Sequence, residues 1–440
     1  MKKIRRKRKI RVFRVVIAFS LFLTILYGLF YFFINNDSGS SSENVDDSIV
    51  NNLYKELIIS DRESDSNIIK DVLTNGMNAI DFKKILDRKA IYITTKNTYK
   101  TMNYDFDKKL SYKDIEEYLY NMSSSDIVIL ENIGKSVDDR IIYGIEVGKG
   151  DKVLFIDGNI HAAEVGGTLF ILKLLNDLVI NYEDNVSEVK ELLNNYKIVA
   201  IPSINPDGYE YVNFGIDTIR NKNLWIYKNK DNIDQFNSKF NANGVDLNRN
   251  FPTQNGALLF ESEELINSVS LEKTTSIYKY YSGDSLASEP ETRAFMYYFI
   301  KHYKNIHTYV NIHSQGRVLY AGKPNLTSEF NSLCKKTAQE ISNITNYTVY
   351  GTDYEEVGEG NDGSVTDFAS ELAHGFKFSE KTGRLSSDKH IDNSSLLKYN
   401  YSVITLETMD RYTTDVKYFK DEWIYRNFKD LFISLLKNDY

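Results

Sequence analysis

The 440-residue sequence is 42% apolar, 26% charged and 13% aromatic with five prolines, a composition that excludes a largely disordered chain. Its one cysteine, Cys334, excludes an intrachain disulfide framework and a cysteine-rich metal site. The formal net charge is −7, and without the nine basic residues of the first 14 positions the remainder carries about −16. An acidic chain without a basic stripe argues against nucleic acid as a partner.

The N-terminus predicts a membrane anchor. Residues 1–14 are strongly basic, and residues 15–34 form an uncharged run of twenty residues. A helix of that length crosses roughly 30 Å of hydrocarbon, and the basic flank keeps the N-terminus in the cytoplasm. A cleaved signal peptide is the alternative, but the apolar run is long for one and no A-x-A-like cleavage site follows. We therefore expect a single-pass protein with the residues after 34 outside the cell, secreted if residues 1–34 are removed.

Two segments separate this anchor from the main domain. Residues 35–49 are polar and serine-rich, which indicates a flexible linker. Residues 50–107 mix short helical patterns with one strand, "AIYITT", and predict a small juxtamembrane module of unassigned role.

From residue 108 to 440, helical and strand patterns alternate, which predicts a layered α/β domain. "SYKDIEEYLYNM" and "GTLFILKLLNDLVINY" read as helices. The predicted strands are "RIIYGIEV", "KVLFIDG", "YKIVAIPSI", "NIHTYVNIH" and "YSVITLE". The later strands are almost continuously apolar, as expected for strands covered by helices on both faces.

Chemically useful residues cluster where these strands end. His161 follows "VLFIDGNI", "NPDG" follows "VAIPSI", His313 follows "YVNI", and Glu407 closes "VITLE". Because ligands of such sheets bind at the carboxyl ends of the strands, we expect these residues at one edge. A zinc hydrolase site needs three protein ligands and one open position for water. His161, Glu164 and His313 could supply the three ligands.

Such a site also needs a general base, and Glu407 follows an apolar strand where burial would raise its pKa toward a working value. The other four histidines are expected to be surface residues: His302, His307, His374 and His390.

The motifs "GNIHAAE", "NPDGY", "GVDLNRNFP", "SEPETRAF", "NIHSQG" and "ITLE" occur in the order found in zinc metallocarboxypeptidases of the carboxypeptidase A type. The resemblance covers about three quarters of the chain, from "SYKDIEEYL" to the C-terminus. It implies a three-layer α/β/α fold around a mixed, about eight-stranded sheet, and one Zn²⁺ per chain.

By the same resemblance, His161, Glu164 and His313 bind zinc and Glu407 is the general base. Asn248 and Arg249 would grip the C-terminal carboxylate of a substrate, a role for which an Arg fork and an amide are well matched.

Two departures from the family pattern concern catalysis and the lid. Many members carry an arginine directly after a tryptophan that corresponds to Trp225, where it polarises the scissile carbonyl, but here Ile226 follows. Arg220, Lys228 and Lys239 are the alternatives for this role. For the mobile tyrosine over the site, the sequence offers Tyr350 and Tyr354 without a clear match to the expected spacing, and Tyr354 is the candidate substrate-binding residue.

Only one residue of the sequence bears on the specificity for the substrate side chain. Thr366 occupies the position that resembles the floor of the family's side-chain pocket, and it is neither an acid selective for Lys or Arg nor an apolar wall.

The sequence therefore predicts a monomeric, membrane-anchored zinc carboxypeptidase whose substrate is a peptide. The alternative substrate is a peptidoglycan stem peptide, cleaved at its γ-D-glutamyl–diaminopimelate bond during cell-wall remodelling. An alternative of another class is a catalytically weak relative that only binds peptides.

Overall fold

The computed structural model describes residues 89–220, 222, 225, 238–254, 282–283, 286–323, 326–350, 363–378, 385–386 and 399–437, together with the short strand Ile58–Ile59. The expected tail, anchor and linker of residues 1–49 lie outside the described residues. So do Ile226, Lys228, Tyr354 and His390.

In the described part of the chain, a mixed sheet of ten strands forms the centre of the fold, in the order β1-β2-β3-β4-β6-β5-β7-β12-β8-β9. A separate two-stranded ribbon is formed by β10 and β11. The strands are β1 Ile58–Ile59, β2 Ile91–Ile93, β3 Val128–Lys135, β4 Ile141–Gly148, β5 Lys152–Gly158, β6 Tyr196–Ile201, β7 Ile306–Ser314, β8 Val318–Ala321, β9 Thr348–Tyr350, β10 Lys377–Phe378, β11 Leu385–Ser386 and β12 Ser402–Thr408.

The middle of the sheet is parallel. Strands β6, β5, β7 and β12 run parallel as neighbours, whereas β1 to β4 and the β12–β8 pair are antiparallel. The expected mixed sheet is thus observed, but the expected number of about eight strands is too low. Eight strands do come from residues after 108, and the two additional strands at one end of the sheet, β1 and β2, come from residues before it.

Helices cover both faces of the sheet and give the expected three layers. The helices are α1 Tyr112–Met122, α2 Val165–Glu183, α3 Ser187–Asn195, α4 Pro206–Phe214, α5 Pro290–His302, α6 Ser328–Thr345, α7 Val365–Ala373, α8 Val416–Tyr425 and α9 Phe428–Lys437. On one face α2 packs on β5 and β7, and on the other the Phe155 ring of β5 packs against Phe295 and Phe299 of α5, with centroids 5.9 and 5.0 Å away. Burial on both faces explains why the central strands are almost continuously apolar.

Helix α1 begins where its sequence predicts. Ser111 is the N-cap and accepts a hydrogen bond from the backbone N–H of Asp114, whose carboxylate accepts from the backbone of Ser111 in return. This reciprocal pair satisfies two backbone donors that the first turn of a helix otherwise leaves without partners.

Helix α2 is long and apolar enough to cross a membrane, by length and composition alone. However, 78% of its apolar window is buried inside the protein. It is therefore explained as the central helix of one layer.

The described part of the segment before residue 108 packs onto the domain that follows it. The predicted strand "AIYITT" is confirmed as β2, which pairs with β3. Tyr104 and Phe106 are buried, and the Phe106 ring lies 6.0 Å from Phe170 of α2 and 6.1 Å from Trp423 of α8. The sheet and the core therefore continue across residue 108.

Candidate active site

The turn between β5 and α2 carries the first two candidate ligands. Strand β5 ends at Gly158 and α2 begins at Val165, so His161 and Glu164 lie on the connection. A Cβ atom on Gly158 would lie 2.9 Å from the backbone carbon of Gly167, so this strand and helix can approach closely only because both residues are glycines. The close approach fixes the direction in which the turn leaves the sheet.

The "NPDG" motif packs against the turn between β5 and α2. Asn205 caps α4 by accepting from the backbone N–H of Gly208. A Cβ on Gly208 would lie 2.5 Å from the Cβ of Ala162, so only glycine leaves room for the turn between the two ligands. The sequence analysis singled out this motif for its place after a strand, and the structure shows that it packs under the site.

His313 reaches the same place from the neighbouring strand. Strands β5 and β7 are parallel neighbours with Gly158 opposite Ile312, so the chain after β5 and the end of β7 meet at one sheet edge. The Nδ1 atoms of His161 and His313 each lie 2.8 Å from a different carboxylate oxygen of Glu164. Glu164 occupies the N-cap position of α2 but does not cap it, because both oxygens face the imidazoles.

The three side chains fit a zinc ion. They are buried, and one potential ligand atom from each lies within 4.8 Å of the others. Two histidines and one glutamate are a common ligand set for catalytic zinc, which needs three protein ligands and an open position.

The electrostatics of the cluster favour a charged carboxylate. Burial favours the neutral form of Glu164, but the two imidazoles outweigh burial and hold the pKa of this carboxyl well below its usual range. Burial likewise disfavours the charged form of His161, but the carboxylates of Glu164 and Asp246 together outweigh burial and raise the pKa of His161. The site is therefore preorganised for positive charge next to Glu164.

Asp246 is a site residue that the sequence analysis missed. It is fully buried, and its Oδ1 atom lies 3.3 Å from Nε2 of His161, the ring nitrogen that faces away from Glu164. The same side chain accepts a hydrogen bond from the backbone N–H of Asn248. A carboxylate behind a metal-binding histidine fixes the orientation of the ring and raises its basicity. The sequence feature that could have indicated Asp246 is its position in "GVDLNRN", two residues before Asn248.

Replacing Asp246 by asparagine keeps the shape of the side chain but removes the charge behind His161. We expect the affinity for zinc to fall about 10- to 100-fold, as is typical when such an outer partner is lost. Competition with a fluorescent chelator measures this affinity. The control is Asp217→Asn, since that side chain is 89% exposed. Equal zinc affinity in the two variants would contradict the assigned role of Asp246.

Glu407 lies beside His313. Strands β12 and β7 are parallel, and Glu407 stands directly opposite His313 in their register, so the two side chains share one face of the sheet. The Oε2 atom of Glu407 is buried. The structure thus brings the candidate base next to the candidate ligands, as expected from the strand ends.

Asn248 and Arg249 lie on a short 3₁₀ turn, Leu247–Arg249, which Asp246 caps. The Asn248 side-chain oxygen accepts from the backbone N–H of Val365 at the start of α7. Arg249 is 7% exposed and donates from Nη1 to the backbone oxygen of Asn248. Asp246 therefore connects this pair to His161.

Thr366 lines a small cavity with polar walls. It lies in the first turn of α7, and Thr405 on β12, two residues before Glu407 and on the same face, lines the same cavity. The other lining residues are Tyr320, Gly322, Lys323, Asp367, Ser370 and Val403. Lys323 lies 3.0 Å from Asp367 and 3.3 Å from Glu371. No pattern in the sequence indicated Lys323, because it meets the two acids only through the fold.

None of the other described histidines joins the cluster, but the expectation that they are surface residues is wrong for the three that the structure describes. His302 lies 3.6 Å from Glu146 with its side chain 10% exposed. His307 is hydrogen-bonded to the backbone oxygen of Leu435 and His374 to Thr327. Each is a partly buried side chain with a structural partner.

Comparisons with known proteins agree with this geometry. The sequence profile of the family described as zinc carboxypeptidase matches residues 115–400. Human carboxypeptidase A6 is 24% identical over 289 residues, 62% of this chain and 59% of that protein. The gamma-D-glutamyl-L-diamino acid endopeptidase 1 of Lysinibacillus sphaericus is 27% identical over 248 residues, 53% of this chain and 58% of that protein.

The chain thus spans less than two thirds of the length of these relatives. Among solved structures, bovine thrombin-activatable fibrinolysis inhibitor, in complex with tick carboxypeptidase inhibitor, superimposes with a TM-score of 0.51 at 19% identity. That match covers 75% of this chain and 99% of the other, and it shows a shared fold.

Proposed function

The chain belongs to the zinc carboxypeptidase family, and we propose that it hydrolyses the C-terminal amide bond of peptides outside the cell while anchored to the membrane. The observation that carries this proposal is the buried His161–Glu164–His313 cluster with Glu407 directly beside it. When bound there, zinc supplies a Lewis acid that activates water for attack at neutral pH.

The residues of the chain divide the chemistry between them. Glu407 takes a proton from the attacking water, whose oxygen adds to the carbonyl carbon of the substrate. The carbon–nitrogen bond then breaks, and Glu407 returns the proton to the leaving nitrogen. The products are a shortened peptide and a free amino acid. Asp246 keeps the His161 ring in place throughout.

Arg249 and Asn248 define which bond is cleaved. A guanidinium and an amide present several donors to the carboxylate of a C-terminal residue and hold its amide bond at the cluster. The enzyme therefore acts as a carboxypeptidase and does not cut within long chains.

This proposal predicts a difference between free and amidated peptides. The wild type should remove the last residue of a peptide acid and leave the matching C-terminal amide intact, as read by mass spectrometry. Arg249→Gln should lower kcat/KM for the acid by about 10- to 100-fold, because hydrogen bonds to a charged group are worth about 1.5–3 kcal/mol. Arg411→Gln, at an exposed arginine, is the control. Equal cleavage of acid and amide would contradict the role of Arg249.

The membrane location rests on the sequence of residues 1–34, whose basic and apolar segments follow the pattern of an uncleaved signal anchor. We expect the full chain in the membrane fraction of cells, with its catalytic domain digested by protease added outside. Full protection from that protease would contradict the proposed orientation.

A second candidate is a peptidase of peptidoglycan stem peptides with the same chemistry. It is favoured by the polar cavity that Thr366, Lys323 and Asp367 line, because a substrate side chain bound in this cavity would meet both a positive and a negative charge. Diaminopimelate carries an ammonium and a carboxylate at the far end of its side chain and complements such a pair. The similarity to the Lysinibacillus endopeptidase also supports this reading. Cleavage of L-Ala-γ-D-Glu-diaminopimelate in preference to ordinary peptides would favour it.

A further inference from the structure

The "SEPETRAF" motif lies outside the cluster of ligands, but its second residue, Glu289, contacts residues 241–250, which we call the site segment. This segment carries Asp246 and Arg249. Glu289 is buried at the N-cap position of α5, yet its carboxylate does not cap that helix. Burial of a carboxylate costs free energy unless hydrogen bonds compensate it, so the partners of Glu289 indicate what the side chain does.

We propose that Glu289 is a positioning residue that fastens both ends of the site segment. It thereby sets the place of Asp246, which lies behind His161, and of Arg249, which binds the substrate carboxylate in the proposed reaction. This inference rests on the proposed peptidase function and adds to it a residue that touches neither metal nor substrate.

The first end of the site segment is held through Asn241. Its side-chain amide donates to Oε2 of Glu289 at 2.7 Å and to Oε2 of Glu291 at 3.1 Å. The oxygen of the same amide accepts from the backbone N–H of Val245 at 3.1 Å, and the backbone N–H of Asn241 donates to the backbone oxygen of Val245 at 3.0 Å. Because Val245 directly precedes Asp246, Asn241 binds the chain before Asp246 to the start of α5.

Asn243 adds a second link at this end. Its side-chain amide donates to the same Oε2 atom of Glu289 at 2.9 Å. Its backbone N–H donates to the side-chain oxygen of Asn241 at 3.0 Å. One carboxylate oxygen of Glu289 thus accepts hydrogen bonds from two asparagines in the turn that precedes Asp246.

The other carboxylate oxygen of Glu289 serves the second end of the site segment. Oε1 accepts from the hydroxyl of Ser288 at 2.7 Å, and that hydroxyl accepts from the side-chain amide of Asn250 at 3.0 Å. The backbone N–H of Glu289 donates to the side-chain oxygen of Asn250 at 3.2 Å, and the backbone N–H of Ala287 donates to its backbone oxygen at 2.7 Å. Asn250 directly follows Arg249, so the chain is fixed on both sides of the residues that act.

Burial makes this network rigid. Asn241, Asn250 and the Asp246 side chain are all buried. A buried amide that loses its partner has no water to replace it, so the network is satisfied in one geometry. A misplacement of about 1 Å in an active site can cost ~10²-fold in rate. Glu289 therefore controls the geometry of the site through the two asparagines at the ends of the segment.

The test compares the full-length wild type with Glu289→Gln, which keeps the shape of the side chain but removes its charge and one acceptor oxygen. We expect the affinity for zinc to fall about tenfold, because Asp246 is no longer held behind His161. Competition with a fluorescent chelator measures this affinity.

The second quantity is the preference for a free C-terminal carboxylate. The probes are a phosphonate analogue of the peptide Ala-Ala and the C-terminal amide of the same analogue, bound to the zinc-loaded protein. The ratio of their two affinities, here the acid–amide ratio, reports the placement of Arg249. It should fall about two- to tenfold in Glu289→Gln, as expected when one hydrogen bond is weakened.

Glu131→Gln is the matched control. Glu131 is a buried acid on β3 that also accepts hydrogen bonds from two side chains, those of Tyr297 and Lys301 on α5. These partners do not belong to the site segment. Urea unfolding should show a loss of stability in this variant, whereas its zinc affinity and its acid–amide ratio should remain those of the wild type.

Two milder variants at partly exposed residues separate the two ends of the segment, and they decide the matter even if Glu289→Gln does not fold. Asn243→Ala removes a link at the Asp246 end and should lower mainly the affinity for zinc. Ser288→Ala removes a link at the Arg249 end and should lower mainly the acid–amide ratio. Each effect should be about two- to tenfold, the contribution of one hydrogen bond.

Wild-type zinc affinity and a wild-type acid–amide ratio in Glu289→Gln would overturn the inference, as would wild-type values of both quantities in the two milder variants. Equal losses in Glu131→Gln would also overturn it, because the effect would then follow from the stability of the fold. A wild type that binds zinc but neither phosphonate would contradict the proposed function instead. The zinc affinities of the variants would still decide whether Glu289 positions Asp246.

Discussion

Glu407→Gln should lower kcat by about 10²- to 10⁴-fold, the usual contribution of a positioned general base. Glutamine keeps the shape of the side chain beside His313 but cannot accept a proton from water or return it to the leaving nitrogen. KM and zinc content should change little, because Glu407 is not among the ligands of the cluster. Steady-state kinetics on a peptide acid, with zinc quantified in the same sample, measures both.

Glu188→Gln is the matched control, since Glu188 is exposed in the first turn of α3. Undiminished kcat in Glu407→Gln, with zinc bound, would remove the general base from the mechanism. A variant that loses zinc together with activity would show instead that Glu407 supports the metal site.

His313→Ala should have the largest effect on the metal. It removes one of three candidate ligands, so the affinity for zinc should fall by more than the roughly 10- to 100-fold expected for an outer partner such as Asp246. Peptidase activity should fall below detection at equimolar zinc. In the metal-free protein, the same substitution removes one of the two imidazoles that contact the Glu164 carboxylate. Because Glu164 is only 1% exposed, water cannot replace this partner, and the free energy of unfolding should drop by about 1–3 kcal/mol.

Isothermal titration calorimetry with zinc measures the change in zinc affinity. Urea unfolding of the metal-free variant measures the change in the free energy of unfolding. His302→Ala is the control, because His302 also lies near a buried carboxylate but outside the cluster. If His313→Ala binds zinc as tightly as this control, the ligand assignment is wrong.

The principal site residues could be predicted because they are tied to the regular pattern of strands. His161, His313 and Glu407 follow or close apolar strands, and parallel strands bring their carboxyl ends to one edge. Their residue types can supply the ligands and the base of a zinc hydrolase, and the resemblance to zinc carboxypeptidases assigned these roles. The three-layer architecture follows from the same runs of buried strands and amphipathic helices.

Site residues that lie on loops could not be predicted from the sequence in the same way. Asp246 reaches His161 because a hairpin folds back on the turn after β5, and no periodicity reports such an approach. Lys323 meets Glu371 across 48 positions of sequence, between the end of β8 and α7. Strands β1 and β2 are only two and three residues long, too short for an alternating pattern to show which sheet they join.

The central claim is that His161, Glu164 and His313 hold one zinc ion that is required for peptide hydrolysis. Its most direct measurement is a titration of chelator-treated protein with zinc, in which release of a C-terminal residue is followed by mass spectrometry. The claim predicts no product without metal, a rise that saturates at one zinc per chain, and no rise for His313→Ala over the same range. Product formation that continues without zinc, or that saturates identically in the variant, would contradict it.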